Sequence, residues 1–212
     1  MSATPPPVTV GPPAPARHRP RRVSRNGVVS AAVSVLLVAA AMLGYRLSDP
    51  TQRSYQLITA QLDEPVAYGA GRVVVSDVRI ASELKEREVV LTTPGAFVVV
   101  RVGVQAPGRD RVVIADGELQ VGGRTYTQVD TVTSSVSADP GFESAVDLAF
   151  EVDPADLSGM TLQVWNSGFI TRYEQRVQTP LGVTAQNAGR WALAGRQGRV
   201  TVLDQPETQA LS

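Results

Sequence analysis

Ser82 and Lys85 are the first residues whose spacing suggests chemistry, in the sequence Ser82-Glu83-Leu84-Lys85. A serine followed three residues later by a lysine is typical of penicillin-interacting enzymes, in which the serine is the nucleophile. That chemistry requires the serine at the start of a helix, with the lysine one turn further on. Here the residues connect two predicted strands and no partner motif follows, so we interpret the match as a coincidence.

Four acidic residues between positions 147 and 156 could provide oxygen ligands for Ca²⁺: Asp147, Glu151, Asp153 and Asp156. Asp147 and Glu151 occupy one phase of a predicted strand, the phase that would face water. Asp153 precedes a proline and is better explained as the cap of a helical turn. Secondary structure thus accounts for these acids, and the sequence predicts no metal and no other cofactor.

Imidazole and thiol groups are almost absent from the chain. There is no cysteine, and the single histidine, His18, lies in an N-terminal segment rich in proline and arginine. Disulfides, thiolate nucleophiles and cysteine-ligated metals are therefore excluded, and the folded body lacks the usual acid–base side chain. The sequence also has no phosphate-binding glycine loop, nucleophile elbow or metalloprotease motif. It therefore predicts a protein that is not an enzyme.

Aromatic residues are the best candidates for a contact surface. Trp165 occupies the polar phase of its predicted strand, Phe169 and Tyr173 follow it closely, and Phe97 lies on the outward phase of an earlier strand. Aromatic side chains at loop tips are frequent partner contacts in β-sandwiches. We predict that these four residues contact a partner; the alternative is that they cover a sandwich edge or pack on a C-terminal helix around Trp191.

A long uncharged segment predicts where the folded body lies. No charged residue occurs between Arg25 and Arg46, and about twenty helical residues cross a hydrocarbon core of about 30 Å. Five arginines precede this segment, which favours a cytoplasmic N-terminus. The sequence thus predicts a single-pass transmembrane helix, Asn26 to Tyr45, that holds the C-terminal domain outside the cytoplasm at the cell membrane. The alternative is a signal peptide cleaved near Ala39-Ala40-Ala41.

Alternation of apolar and polar residues predicts strands from about residue 72 onward. Val98, Val100, Val102 and Val104 share one face of a strand, a pattern typical of antiparallel sheets with one wet face. Gly122-Gly123 has the form of a two-residue hairpin turn. The pattern predicts an all-β, antiparallel β-sandwich with strands at 72–82, 87–92, 96–106, 111–121, 124–130, 143–152, 160–166 and 169–178.

The sequence predicts that the chain is divided into five parts. They are a disordered, proline- and arginine-rich cytoplasmic tail (1–25), the transmembrane helix (26–46), a linker with a first strand (47–65), the sandwich ectodomain (66–183), and a short helix at 184–194 followed by a disordered tail that ends at residue 212.

The charged residues are unevenly distributed along the chain. The first 25 residues carry five arginines and no acid, so the remainder has fifteen basic against twenty acidic residues, a net charge of −5. An acidic body does not favour nucleic acid as a partner.

Four segments between Gly71 and Trp165, about half of the chain, carry a resemblance to a known family. They read GRVVVSDVRI, TPGAFVVVRVGVQ, GELQVGGRTY and DPGFESAVDLAFEVDPADLSGMTLQVW. In this order they resemble the bacterial extracellular immunoprotective, immunoglobulin-like domain family, a domain of unknown function in anchored or secreted proteins of Gram-positive bacteria. The resemblance implies an immunoglobulin-like sandwich and an extracellular setting. It implies no reaction, because the family has no agreed catalytic residues.

These observations together predict a membrane-anchored, extracytoplasmic binding or scaffold protein that is non-catalytic and whose ligand is unknown. Its expected partners are the lipid bilayer, through the anchor, and an envelope or membrane protein. Tethering would raise the effective concentration of the sandwich near such a partner. The alternative is an accessory subunit of a membrane transport or secretion assembly, in which small residues of the anchor pack on other helices.

Overall fold

The computed structural model of the protein describes residues 55–130, 135–166 and 175–211. All of them belong to the second of two compact units, Arg53–Ser212. The predicted anchor, Asn26 to Tyr45, lies outside the described residues, as do Phe169 and Tyr173. Within the described ranges, no helix is long and apolar enough to cross a membrane.

The described residues form an all-β sandwich with a single short helix, which confirms the predicted class. The elements are β1 (Gln56–Thr59), β2 (Val66–Tyr68), β3 (Gly71–Glu86), β4 (Val89–Gln105), β5 (Val112–Ile114), β6 (Asp116–Val121), β7 (Arg124–Thr127), β8 (Val136–Ala138), β9 (Phe142–Val152), β10 (Thr161–Trp165), β11 (Gln175–Pro180), α1 (Ala188–Gly195), β12 (Arg199–Thr201) and β13 (Glu207–Ala210).

Five strands form one sheet in the order β1-β11-β10-β6-β7. The other sheet has the order β12-β3-β4-β9-β13, and β2 also pairs with β3. The strands β5 and β8 form a separate small pair.

The core lies between the two sheets. Val98, Val100, Val102 and Val104 are fully buried in it, together with Phe150 from β9. Alternation therefore predicted the inner face of β4 correctly. The Gly122-Gly123 hairpin is also confirmed, because both glycines have positive φ, 55° and 80°, and join β6 to β7.

Strand direction was predicted incompletely. Most pairs are antiparallel, but β1 pairs with β11 in parallel, and β12 pairs with β3 in parallel. In both pairs the partners are more than a hundred residues apart in the chain. No short turn dictates their direction, and alternation within a strand contains no information about it.

Several predicted boundaries are wrong for identifiable reasons. The predicted strands 87–92 and 96–106 are one strand, β4, in which the residues 93–96 lie opposite the single residue Ser82 as a bulge. The predicted strand 111–121 is divided into β5 and β6, because the two halves pair with different partners. The last ten residues, predicted to be disordered, contain β13, whose four residues are exposed but which pairs with β9 through its backbone.

A second layer covers part of the outer face of the β3–β4–β9 sheet. The C-terminal strap, residues 199–211, crosses this face from the β3 edge to the β9 edge. The Leu203 N–H donates to Asp147 of β9, while the neighbouring Asp204 accepts from the Arg87 N–H at the end of the β3–β4 hairpin. The hairpin end therefore lies over the face of its own sheet. The layer buries a small second core that consists of Ala81, Leu84, Phe97, Val99, Ala149, Val200 and Val202.

Gly71, the first residue of β3, marks a close approach between strands. A Cβ atom at this position would overlap the backbone oxygen of Gln105 and the Cγ2 atom of Val112. We expect Gly71→Ala to lower the free energy of unfolding by about 1–3 kcal/mol, since backbone must move to relieve the overlap. Urea denaturation would measure the change.

Gly189 is the matched control for this glycine substitution. It lies in α1, and a Cβ atom there would meet nothing within 4 Å. Gly189→Ala is expected to raise the free energy of unfolding by about 0.4–1 kcal/mol, through the lower entropy of the unfolded chain. Equal midpoints for the two variants would contradict the close approach at Gly71.

Candidate functional site

Phe97, which was predicted to contact a partner, does not lie on the surface. Only 3% of its area is exposed. Its strand phase does point away from the main core, as alternation indicated, but Val200 and Val202 of the strap cover it together with Leu84. The sequence pattern identified the face and could not show the layer above it.

Trp165 lies on the outer face of the other sheet and is 9% exposed. The guanidinium carbon of Arg176 stands 3.9 Å from the centroid of the Trp165 ring and 4.6 Å from that of Tyr55. Such cation–π stacking, worth about 0.5–2 kcal/mol, accounts for the low exposure of the indole. Phe169 and Tyr173 lie outside the described residues, so their part in this surface stays a prediction.

Asp147 was predicted to face water, and this prediction is wrong because its side chain is completely buried. Its Oδ1 atom lies 2.7 Å from Arg79 Nη2 and 3.1 Å from Arg101 Nε. The Leu203 N–H donates to its Oδ2 atom at 3.1 Å. Arg79 also donates from Nη1 to the Thr201 oxygen at 3.0 Å. The carboxylate thus joins two strands of the sheet to the C-terminal strap.

The two arginines determine the ionisation of Asp147. Burial acts to raise the pKa of this carboxyl, but hydrogen bonds and charge from Arg101 and Arg79 outweigh burial and hold the pKa below its ordinary value. The hydrogen bond to Asp147 is likewise the main reason that the pKa of Arg101 is raised. Asp147 and Arg101 are therefore both charged at neutral pH.

Neither the serine–lysine pair nor the acidic residues have the arrangement that their suggested chemistry requires. Ser82 and Lys85 lie within β3 and not at the start of a helix. Asp153 accepts from the Ala155 N–H at 2.9 Å, as a cap does, and lies 3.4 Å from Arg124. Among the described residues, no group of three or more His, Cys, Asp or Glu side chains could hold a metal ion.

A hollow of about 330 Å³ lies where the strap leaves the outer face of the β3–β4–β9 sheet uncovered. Its floor is the row Val74–Gly103–Ala145, aligned across three adjacent strands by the sheet register. The row continues to Glu207 on β13. Small residues at the centre of the row leave space between the taller side chains of the rows on either side. We call this cavity the outer-face hollow.

Polar side chains surround the outer-face hollow. Arg101 lines one side, beside the buried Asp147. On the opposite side Gln105 Nε2 donates to Glu143 Oε2 at 2.9 Å, and Gln209 Nε2 donates to Glu143 Oε1. These three residues form one row across β4, β9 and β13, which we call the glutamate ridge. The hollow therefore has an apolar floor and polar groups held in place by hydrogen bonds, as small-ligand sites have.

Comparisons with known proteins identify no family. No protein-family model matches the chain, and no curated protein matches it. Solved structures similar to it include an uncharacterised β-sandwich protein from Clostridium difficile 630, at 10% identity and a TM-score of 0.40 over 60% of this chain and 96% of that chain. The yjhA protein from Bacillus subtilis is similar at 9% identity and a TM-score of 0.42, over 56% of this chain and 98% of that chain. The immunoglobulin-like family resemblance therefore stays a prediction.

Sequence reasoning missed the outer-face hollow altogether. Gly103, Ala145 and Glu207 are separated by 42 and 62 residues along the chain. Only the pairing register brings them into one row. The single local signal was Gly103, a glycine inside a strand of valines, which often indicates a close approach of a ligand or another backbone.

Proposed function

We propose that the protein is a membrane-anchored, extracytoplasmic binding or scaffold protein with an immunoglobulin-like sandwich. In this proposal the segment 26–46 is the anchor, and the outer-face hollow is the contact site. The protein acts without catalysing a reaction. It presents a rigid site at the membrane surface to a ligand or to a segment of an envelope or membrane protein.

The observation that supports the proposal best is the construction of the outer-face hollow. The outward row Val74–Gly103–Ala145 consists of short side chains, and the space of about 330 Å³ lies over this row. The groups around it are held by hydrogen bonds within the glutamate ridge and by the buried Asp147. A ligand that enters meets polar groups already in position, which reduces the entropy cost of binding.

Tethering to the membrane would bring the outer-face hollow close to its partners. A single anchor restricts a domain to a thin layer beside the bilayer, which raises its effective concentration toward other membrane components. The five arginines before the anchor favour export of the domain. Modest affinity at the hollow would then suffice for stable association at the membrane.

Two measurements on the full chain test the proposal. A C-terminal alkaline phosphatase fusion, which is active only outside the cytoplasm, should be active in cells. In nanodiscs, native mass spectrometry should detect a co-purified ligand on the wild-type chain and not on Ala145→Phe, which fills the hollow. Thr125→Phe, on the exposed edge strand β7, is the control and should retain the ligand.

Either of two results would contradict the proposal. A fusion that is inactive as phosphatase, while a cytoplasmic reporter at the same position is active, would overturn the exported location. Equal ligand retention by Ala145→Phe and Thr125→Phe would overturn the hollow as the contact site.

A further inference from the structure

We propose that the outer-face hollow binds a small zwitterion that carries an ammonium group and a carboxylate, the chemistry of a free amino acid or a short peptide. This inference rests on the proposed binding function and specifies the class of ligand. It follows from the opposite charges at separate positions around the hollow, from their existing partners and from the size of the space.

Arg101 provides the group for the ligand carboxylate. Its Nε and Nη2 atoms face Asp147, at 3.1 Å and 3.5 Å, so one edge of the guanidinium is occupied. Nη1 takes no part in these two bonds, and Arg101 lines the hollow. A guanidinium oriented by a buried carboxylate is a strong, preorganised donor for a second carboxylate. The raised pKa of Arg101 keeps it charged throughout the physiological range.

Glu207 provides the group for the ligand ammonium. It ends the floor row on the β13 side, next to Ala145, and lines the hollow. Within the described part of the chain, no ion pair joins Glu207 to a basic side chain. It is nevertheless near enough to Arg101 to help raise the pKa of that guanidinium. The hollow thus has a carboxylate and a guanidinium on separate sides and unpaired with each other.

The glutamate ridge adds acceptors on the side of the ammonium. Both carboxylate oxygens of Glu143 accept from amide groups, those of Gln105 and Gln209. The amide oxygens of the two glutamines take no part in these bonds. An ammonium has three protons to donate. Glu207 and the ridge oxygens together offer acceptors for them.

A ligand with only one charge fits the hollow less well. A simple carboxylate attracted to Arg101 would also meet the negative charges of Glu143 and Glu207. A simple amine attracted to Glu207 would offer no acceptor to Arg101 Nη1, which takes no part in the bonds to Asp147. Each mismatch would cost binding energy in a partly enclosed site where water screens charges poorly. A zwitterion satisfies both sides at once.

The size of the space limits the ligand. A volume of about 330 Å³ admits a molecule of one or two amino-acid residues. The floor of Val74, Gly103 and Ala145 presents apolar surface, which suits a short aliphatic side chain. Alanyl-alanine combines both charges with two methyl groups and is the probe of choice.

Isothermal titration calorimetry on the full chain in nanodiscs tests the inference. L-alanyl-L-alanine should bind, and its N-acetylated and C-amidated forms, which each lack one charge, should bind at least tenfold more weakly. Glu207→Gln should weaken binding of the dipeptide at least tenfold, because the substitution removes the negatively charged partner of the ammonium. Glu88→Gln, an exposed acid outside the hollow, is the control and should bind as the wild type does.

The outcomes separate this inference from the proposed function. Equal binding of the capped and uncapped dipeptides, or no binding of alanyl-alanine at all, would contradict the inference that the ligand is a zwitterion. In both cases a co-purified ligand that Ala145→Phe loses would still support a binding function at the hollow. Unchanged affinity in Glu207→Gln would overturn the assigned role of that carboxylate.

Discussion

Replacement of Asp147 by alanine is expected to lower the free energy of unfolding by about 3–5 kcal/mol, the usual cost of removing one partner from a buried ion pair. The change would leave Arg79 and Arg101 close together without the carboxylate between them. It would also leave the Leu203 N–H without its acceptor. Chemical denaturation, followed by circular dichroism, would measure the loss.

Asp139→Ala is the matched control for this substitution. Asp139 forms an ion pair of the same length, 2.7 Å, with Arg111, but both side chains are 60% exposed. Exposed pairs contribute little to stability. We expect no measurable change in the unfolding midpoint of this variant, and equal effects of the two alanine substitutions would contradict the structural role of Asp147.

Low pH should abolish the contribution of Asp147 to the free energy of unfolding. Its pKa is lowered in the folded protein, so the carboxylate stabilises the fold above its unfolded pKa of about 4. This stabilisation is lost as the pH falls through the lower, folded pKa. The difference in unfolding free energy between the wild type and Asp147→Asn should therefore shrink below about pH 4 and stay constant between pH 5 and about pH 7. A constant difference down to pH 2 would contradict this assignment.

Deletion of residues 199–212 is the second change for which we expect a large effect. It removes Val200 and Val202, and burial of each valine contributes about 1.5–3 kcal/mol. It also exposes Phe97, Val99 and Ala149 on the sheet. The unfolding free energy should fall by about 3–6 kcal/mol, since two valines are lost, and the variant should bind the dye ANS and aggregate.

A shorter deletion, of residues 206–212, separates the two parts of the strap. It removes β13 and the Glu207 side of the hollow but retains Val200 and Val202 over the second core. We expect this variant to bind no dye and to lose affinity for alanyl-alanine. Strong dye binding by the shorter deletion would show that β13, and not the valines, protects the outer face.

Local sequence patterns predicted the strands and the turn that surround the core between the two sheets. Val98 to Val104 alternate because every second residue of a strand faces the same side, and Gly122-Gly123 form a turn because glycine tolerates positive φ. Both signals depend on a few neighbouring residues. They were therefore sufficient for the sandwich, the β6–β7 hairpin and most of the central strands.

The C-terminal strap over the outer face of the β3–β4–β9 sheet could not be predicted in the same way. The outward phase of β4 and β9 was correctly identified for Phe97 and Asp147, yet both residues are buried. The segment that covers them is remote in sequence, and its last strand, with the sequence Glu-Thr-Gln-Ala, shows no apolar alternation. Its pairing depends on backbone hydrogen bonds along the edge of β9, which any side chains permit.

The parallel edge pairs have a consequence for how the chain folds during synthesis. β3 is synthesised early, but its edge partner β12 follows more than a hundred residues later, as β11 does for β1. Contacts between such distant segments slow folding, because a long loop must close before they form. Phe97 and Val99 therefore stay uncovered by Val200 and Val202 until residues 199–203 have left the ribosome.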